Sequence, residues 1–329
     1  MYKSFFNLAR NPFDLTPDPT CFVPSPRHNE ALAALYYGVR RHKGVVVVTG
    51  EVGTGKTLLL RCLLRLFKES EEIAYAYLFN CRLSPMEFLY YTLSDFGVPS
   101  SGKNKSKLIL DLSRFVTSRG LKGLTTVLIV DEAHNLSAEL LEEIRLLSNL
   151  ETNEDKLLQI VLVGQPELDE KLDSFDLRPL KQRIALRAHL GPLDLEETTR
   201  YIEERLRIAG ADPQSTPLFS VQTIAAVYKH ARGFPRLINT ICENALITAY
   251  ARQSAAVTPD IIREVSEELR LDVVFSPRAN KLGNPGELDA ERARSLLLDL
   301  YATLQGPSTN HSGLVASLAH ETSEHEPDI

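Results

Sequence analysis

The octapeptide GEVGTGKT at residues 50–57 follows the β-branched run VVVV at 45–48 and precedes three leucines at 58–60. An apolar strand, a glycine-rich turn and a leucine-rich helix, in that order, let the turn curl its N–H groups toward an anion that the helix dipole also attracts. Gly50, Glu51, Val52, Gly53, Thr54, Gly55, Lys56, Thr57 and Leu58 are therefore the candidate phosphate-binding residues. In such a cradle Lys56 reaches the β- and γ-phosphates, and the Thr57 hydroxyl ligates Mg²⁺. An ordinary glycine turn would not require this strand and helix around it.

At 329 residues and 43% hydrophobic, the chain has enough apolar surface for about two cored domains and a tail. A net charge of -6 supplies no global attraction to nucleic acid or anionic lipid, though local basic patches remain compatible with it. Cys21, Cys62, Cys81 and Cys242 lack metal-ligand spacing and are expected to be reduced core residues. No apolar run approaches a transmembrane span and the N-terminus has no signal-peptide core, so a cytoplasmic chain without direct membrane insertion is expected.

Residues 73–79 read as a strand ending at Asn80, a helix opens at Ser84-Pro85, and an SGKNKSK loop follows. The apolar run at 127–130 predicts a strand buried on both faces that ends in Asp131-Glu132. Carboxylates at the C-terminal end of such a strand can serve a ligand: Asp131 to hold Mg²⁺, Glu132 to polarise an attacking water as general base. The competing reading makes them the cap and first-turn acid of a helix over residues 137–150. Another strand at 157–163 leads to Gln165, which is either a sensing amide beside the carboxylates or a plain loop residue. Arg178, Arg183 and Arg187 surround a further short strand.

From Asp194 the periodicity is helical only, predicting helices from 194 to Gly210, 217–231, 236–252 and from Thr258-Pro259. Gly233-Phe234-Pro235-Arg236 places Arg236 in a first helical turn, where the dipole does not favour a cation, so an anion is expected to face it. An exposed arginine after a turn is the alternative. Beyond Leu271 one short amphipathic stretch, 287–304, precedes a Ser/His/Glu-rich tail expected to be flexible, with His311, His320 and His325 irregularly spaced.

In this order GEVGTGKT, IVDEAH, GQPEL, QRI with Arg187, and GFPR before a helical segment resemble the AAA+ ATPases of the ORC-like group. More narrowly, FFNLARNPFDLTPDP and HNEALAALYYGV near the N-terminus resemble the ExeA (general secretion pathway protein A) family, over about residues 1–270. The resemblance implies an α/β P-loop NTPase fold with a parallel 5-1-4-3-2 sheet, a four-helix lid and a flexible C-terminal tail. It divides the chain at 1–193, 194–271 and 272–329. It implies ATP and Mg²⁺ as cofactors, Lys56 and Thr57 as Walker A residues, Asp131 and Glu132 as Walker B, Gln165 near sensor 1 and Arg236 as sensor 2. Arg183 best fits the arginine finger, with Arg178 and Arg187 as the other candidates. Asn80 is placed like the residue that restrains the catalytic glutamate, and residues 24–37, with His28 and Asn29 opening a helix, would lie against adenine. Family members commonly continue into a transmembrane helix and a peptidoglycan-binding domain, which this sequence does not show.

Three functions are consistent with these residues. The first is an oligomeric ATP-driven assembly factor for a secretion or polysaccharide-export machine, reaching the membrane through protein partners. The second is a DNA-bound ATPase of the transposition-targeting, MuB- or TniB-like type, for which the clusters at 102–107 and 119–122 are the local basic surfaces. The third is a nucleotide switch with negligible turnover, which Glu132 and Arg183 argue against because both belong to hydrolysis.

Overall fold

Alternation along the apolar strands decides how the layers assemble. In strand β1 (Val45–Gly50), Val45 and Val47 enter one core while Val46 and Val48 enter another. The same division separates Leu128 and Val130 from Val127 and Ile129 in β3 (Thr125–Val130), and Ile160 and Leu162 from Val161 and Val163 in β4 (Leu158–Gly164). A strand with cores on both faces has no polar positions left, which is why these runs are continuously apolar. Each fully buried Val or Leu contributes roughly 1.5–3 kcal/mol, so the sheet centre holds the frame while its ends carry polar groups.

The computed structural model describes residues 2–79, 81–153, 155–212 and 216–270. With β2 (Ile73–Leu78) and β5 (Ile184–Leu190), the strands form one sheet in the order β2-β3-β4-β1-β5, every neighbouring pair parallel. This is the expected 5-1-4-3-2 arrangement. Asn80, the stretch 287–304 and the three tail histidines lie outside the described residues.

Helices Pro26–Arg40 and Lys56–Lys68 cover one face of the sheet, through Leu32, Leu35 and Val39 and through Leu59, Leu60 and Leu63. Helices Pro85–Asp95, Lys105–Gly120 and Ala138–Leu147 cover the other. The middle one corrects the sequence reading, in which SGKNKSK was loop throughout: the loop ends at Asn104, whose side chain caps the helix by accepting from the Lys107 N–H at 3.0 Å. The polar first turn conceals the signal, since the buried stripe of Leu108, Leu112 and Val116 begins only at the fourth helical residue.

Four helices follow the sheet: Leu195–Ile208, Val221–Ala231, Pro235–Ala251 and Pro259–Glu268. Their core also takes in Tyr2, Phe6, Leu8 and Phe13 from the N-terminal segment. Buried Arg205 ties that segment down, its Nε donating to the Pro12 carbonyl at 2.5 Å and its Nη2 to that of Asp14 at 3.2 Å. All four cysteines are free and buried. Among the described residues no helix is long and apolar enough to cross a membrane.

Two contacts position the glycine-rich loop from outside. On the helical side, Gly233 has φ of 77°, and a Cβ there would stand 1.8 Å from the Leu193 carbonyl oxygen. Its own carbonyl accepts the Leu193 N–H at 2.8 Å, and the turn it makes delivers the Arg236 N–H to the Gly53 carbonyl at 3.2 Å. On the other side, buried His28 in the first turn of Pro26–Arg40 places Nε2 2.8 Å from the Thr54 carbonyl and Nδ1 2.8 Å from Ser25 Oγ. A carbonyl only accepts, so Nε2 carries the proton and Nδ1 accepts from the serine. The neutral ring is satisfied at both nitrogens, and burial holds its pKa below the usual histidine value.

Replacing Gly233 with alanine is expected to destabilise the fold by about 2 kcal/mol or more, read as a lowered denaturation midpoint, because both the positive φ and the Leu193 backbone oppose a side chain. His28 generates a pH prediction. Its folded pKa lies below its unfolded value, so between about pH 6.5 and that lower value the unfolded chain binds more protons and stability rises with pH. The melting temperature should therefore fall as pH drops from 7.5 to 5.5, and less steeply in His28→Gln, whose amide keeps the donor to Thr54 without the titration. Equal slopes in the two proteins would refute this.

Candidate nucleotide site

The loop between β1 and helix Lys56–Lys68 keeps its carbonyls occupied. Lys56 Nζ donates to the carbonyls of Gly50 at 2.7 Å and Glu51 at 3.0 Å, and Thr54 Oγ1 donates to that of Glu51 at 2.8 Å. Arg236 N–H takes the Gly53 carbonyl and His28 the Thr54 carbonyl. Gly55, the helix N-cap, has φ of 99°, and a Cβ on it would come 3.0 Å from His28 Nε2. With these carbonyls engaged, the helix N-terminus and the loop amides other than that of Thr54, which donates to the Glu51 carbonyl at 3.4 Å, remain to receive an anion. Val52 is exposed at the loop tip, whereas Thr54 is buried and Thr57 and Leu58 are half-buried at the helix start.

Asp131 directly follows β3 and is buried. Its Oδ2 accepts from the Tyr77 hydroxyl at 2.9 Å, its Oδ1 from the Glu132 N–H at 2.9 Å, and its carbonyl from Cys81 Sγ at 2.8 Å. Burial pushes the Asp131 carboxyl above its ordinary pKa, and burial pushes the Lys56 amine below its own. Burial outweighs their mutual attraction, and a bound phosphate with its cation would relieve both. Glu132 occupies a left-handed backbone position, φ 53°, and its carboxylate Oε2 lies 3.3 Å from His134 Nδ1. The reading of these carboxylates as a helix cap fails: Ser137 caps Ala138–Leu147 by accepting from the Leu140 N–H at 3.2 Å, and Glu139 is the first-turn acid.

Gln165, just past β4, sits against the same histidine, its Nε2 3.0 Å from His134 Nε2. Arg236, in the first turn of Pro235–Ala251, is exposed beside the loop, with its Cβ 3.0 Å from where a Gly53 Cβ would stand. Lys56, Thr57, Asp131, Glu132 and Arg236 thus gather at one end of the sheet, and Gln165 joins them through His134. Arg183 is elsewhere. It precedes β5 at the opposite edge, in a cavity of about 220 Å³ with Gly44, Val45, Ser148, Lys156 and Gln182. Arg178 lies exposed over the Phe175 ring, 4.6 Å from its centroid, and Arg187 is paired with Asp169 at 2.9 Å.

Sequence reasoning missed Tyr77, His134 and the loop-holding role of His28. His134 had a local signal, two residues beyond Glu132 at the strand end, whereas Tyr77 reaches Asp131 only because β2 and β3 are in register, Tyr77 opposite Ile129.

The residues fit a nucleotide with a divalent cation. Paired loop carbonyls, an amine inside the loop, and one hydroxyl and one carboxylate as oxygen donors suit Mg²⁺ held partly by phosphate. Among the described residues no group of three or more His, Cys, Asp or Glu could hold a metal ion by itself.

Comparison with known proteins agrees with this geometry. A family model described as an AAA domain matches residues 39–172. General secretion pathway protein A of Aeromonas hydrophila is 43% identical over 255 residues, which cover 77% of this chain and 46% of that protein; the chain thus spans less than half of that relative's length. ATP-dependent target DNA activator B of Escherichia phage Mu is 26% identical over 264 residues, 79% of this chain and 77% of that protein. Among solved structures, the ORC2 protein of Aeropyrum pernix in its ADPNP–ADP complexes superposes with a TM-score of 0.58 at 18% identity, covering 81% of this chain and 75% of that one. Loop, carboxylates, sheet order and relatives converge: the chain carries an AAA domain within a P-loop α/β fold like that of the ORC2 protein, and over most of its length it is similar to General secretion pathway protein A.

Proposed function

We propose that this ATPase hydrolyses ATP with Mg²⁺ at the interface between two copies of the chain, and that it serves as an assembly factor for a secretion or polysaccharide-export system. The observation that carries the interface is the separation of the cradle from Arg183. Val45 pairs with Ile184 at one edge of the sheet and the loop begins after Gly50 at the other. At about 3.3 Å per residue the strand alone puts roughly 16 Å between them. Among the described residues the Arg183 side chain makes no hydrogen bond or ion pair, so its cation is available to a neighbouring copy.

Within one site, Lys56 would leave the Gly50 and Glu51 carbonyls for the β- and γ-phosphates, and the loop amides would take the remaining phosphate oxygens. Thr57 and Asp131 would hold Mg²⁺, which neutralises charge on the transferring phosphoryl group. Glu132 would orient the attacking water and draw off its proton. Arg236 would meet the phosphates from the helical side, and Arg183 of the next copy would stabilise the charge developing on them. In this proposal the working units are an α/β domain, 1–193, and a lid, 194–271, that share the nucleotide between them.

The assembly role rests on similarity to General secretion pathway protein A, and the surface supports protein partners over a duplex. In the first basic cluster Lys103 is paired with Asp111 at 2.6 Å and Lys105 with Glu143. In the second, Arg119 Nη2 donates to the Glu72 carbonyl at 2.8 Å and the Thr125 carbonyl at 3.1 Å. Charges committed inside the fold release few counterions from DNA.

Lys56→Ala is expected to abolish nucleotide binding, and Glu132→Gln to retain ATP in an assembled state. Arg183→Ala should leave binding unchanged and lower turnover by roughly 10³-fold, the scale of a trans-acting arginine. These outcomes are read from ATPase rate against protein concentration, with and without double-stranded DNA, at two salt concentrations. Turnover that rises with protein concentration and ignores DNA supports the assembly role. Stimulation by DNA that collapses at the higher salt would assign the protein to a duplex, and wild-type turnover in Arg183→Ala would remove it as the finger.

A further inference from the structure

We infer that Tyr77 is a positioning residue that aims the Asp131 carboxylate at the divalent cation. The inference rests on Asp131 being a residue that holds Mg²⁺, as proposed above. Several of the bonds to buried Asp131 come from the side of the edge strand β2. Its N–H donates to the Leu78 carbonyl at 2.8 Å, its carbonyl accepts from Cys81 Sγ at 2.8 Å, and its Oδ2 accepts from the Tyr77 hydroxyl at 2.9 Å. A local bond completes the set, from the Glu132 N–H to Oδ1 at 2.9 Å.

The main-chain bonds fix where Asp131 stands, and the side-chain bonds fix how its carboxylate is turned. The terminal torsion of an aspartate is broad, so a single donor leaves the group free to swing. Here each oxygen has its own donor, one from the next residue and one from a neighbouring strand, and together they set the carboxylate plane. A carboxylate has about four lone-pair sites, of which these two bonds use two. The other two remain for a cation or its water shell, on a group already oriented. An ionised carboxylate only accepts, so the phenol is the donor.

Tyr77 is itself held. Its main-chain N–H donates to Asp95 Oδ2 at 2.5 Å, at the end of helix Pro85–Asp95, and its Cα is in register with that of Ile129. Strand pairing thus delivers a half-buried hydroxyl to the residue that follows β3. Tyr75, two residues earlier and so on the same face of β2, is a natural control. Its ring lies against Phe67, 6.1 Å between centroids, and among the described residues its hydroxyl makes no hydrogen bond.

The test uses the full-length protein with Mn²⁺ as probe, because Mn²⁺ takes the same oxygen donors as Mg²⁺ and its free ion is counted by its paramagnetic signal. With the protein saturated by the non-hydrolysable analogue ADPNP, the half-saturating Mn²⁺ concentration should rise roughly 10- to 100-fold in Tyr77→Phe, the scale of losing an orienting bond to a metal ligand. ADPNP affinity in EDTA should match wild type. In turnover, the Mg²⁺ concentration giving half-maximal rate should rise by the same factor, while kcat at saturating Mg²⁺ largely recovers. Tyr75→Phe should leave all of these at wild type. Unchanged or tighter Mn²⁺ binding in Tyr77→Phe, with Asp131→Asn weakened, would overturn the inference and leave Asp131 as a ligand of the cation. Equal losses in the two tyrosine variants, or weaker ADPNP binding in EDTA, would also overturn it, since packing and not aim would then be the cause. Wild-type Mn²⁺ affinity in Asp131→Asn would overturn the reading of Asp131, and this inference with it.

Discussion

The glycine-rich loop buries little apolar surface of its own, so it depends on hydrogen bonds to its carbonyls. Those of Gly50 and Glu51 are taken by Lys56, that of Gly53 by the Arg236 main chain, and that of Thr54 by His28. Each donor comes from a different part of the chain: the loop's own helix, the helical lid, and the N-terminal helix. A buried carbonyl without a donor costs about 1–3 kcal/mol. The loop therefore keeps its shape only while all three parts stay docked, and the shape in question turns its amides toward an anion. In the proposed site the first donor is also the residue that would move as phosphate enters, because Lys56 cannot serve both the carbonyls and a γ-phosphate. The other two hold the turn while it does so.

Sheet geometry brings the remaining chemistry to this loop. Parallel pairing lines up the C-terminal ends of β1, β3 and β4 along one edge, so Gly50, Asp131 and Gln165 become neighbours from distant parts of the sequence. The interior of each strand is apolar on both faces, which confines charged groups to the ends. Asp131 illustrates the consequence: it is buried and raised in pKa, yet it receives Tyr77 O–H and a backbone N–H, so a carboxylate is tolerable there and still short of the partner a cation would provide.

How much of this could be read from sequence follows from where each signal resides. The β1 strand, the loop and its helix are contiguous and each leaves its own pattern, so the cradle was legible, and the apolar run before Asp131-Glu132 made that strand end legible too. Helix Lys105–Gly120 was not, because its first turn is polar and its apolar stripe starts at Leu108, so the SGKNKSK segment masked where it begins. Contacts that exist only across the fold left nothing local: Tyr77 on Asp131 needs strand pairing, and His28 on Thr54 needs the N-terminal helix laid against the loop. Arg205 reads as one more charge on an amphipathic helix, yet it is buried with backbone carbonyls from residues 12 and 14. The resemblance put Arg183 first among the three arginines, but spacing alone gave no physical ground for that order. Arg187 is committed to Asp169 and Arg178 rests on an exposed phenylalanine, a distinction that belongs to side-chain placement alone.

The segment from the end of β4 to the start of β5 joins the two halves of the proposed chemistry. At its beginning, Gln165 touches His134, two residues past Glu132; along it, Asp169 holds Arg187 of β5 and Lys171 holds the turn carrying His134; at its end stands Arg183, across the sheet from that site. Two short helices, Glu167–Leu172 and Arg178–Lys181, make up most of the connection, and Leu168, Leu172, Leu177 and Leu180 anchor them in the same core as β3 and β4. A connection packed this way transmits displacement better than a loose loop would, because close-packed side chains resist compression. In the proposed assembly, an arginine engaged by a neighbour's nucleotide would therefore be linked, through fewer than twenty residues of packed chain, to Gln165 and the His134 ring it contacts.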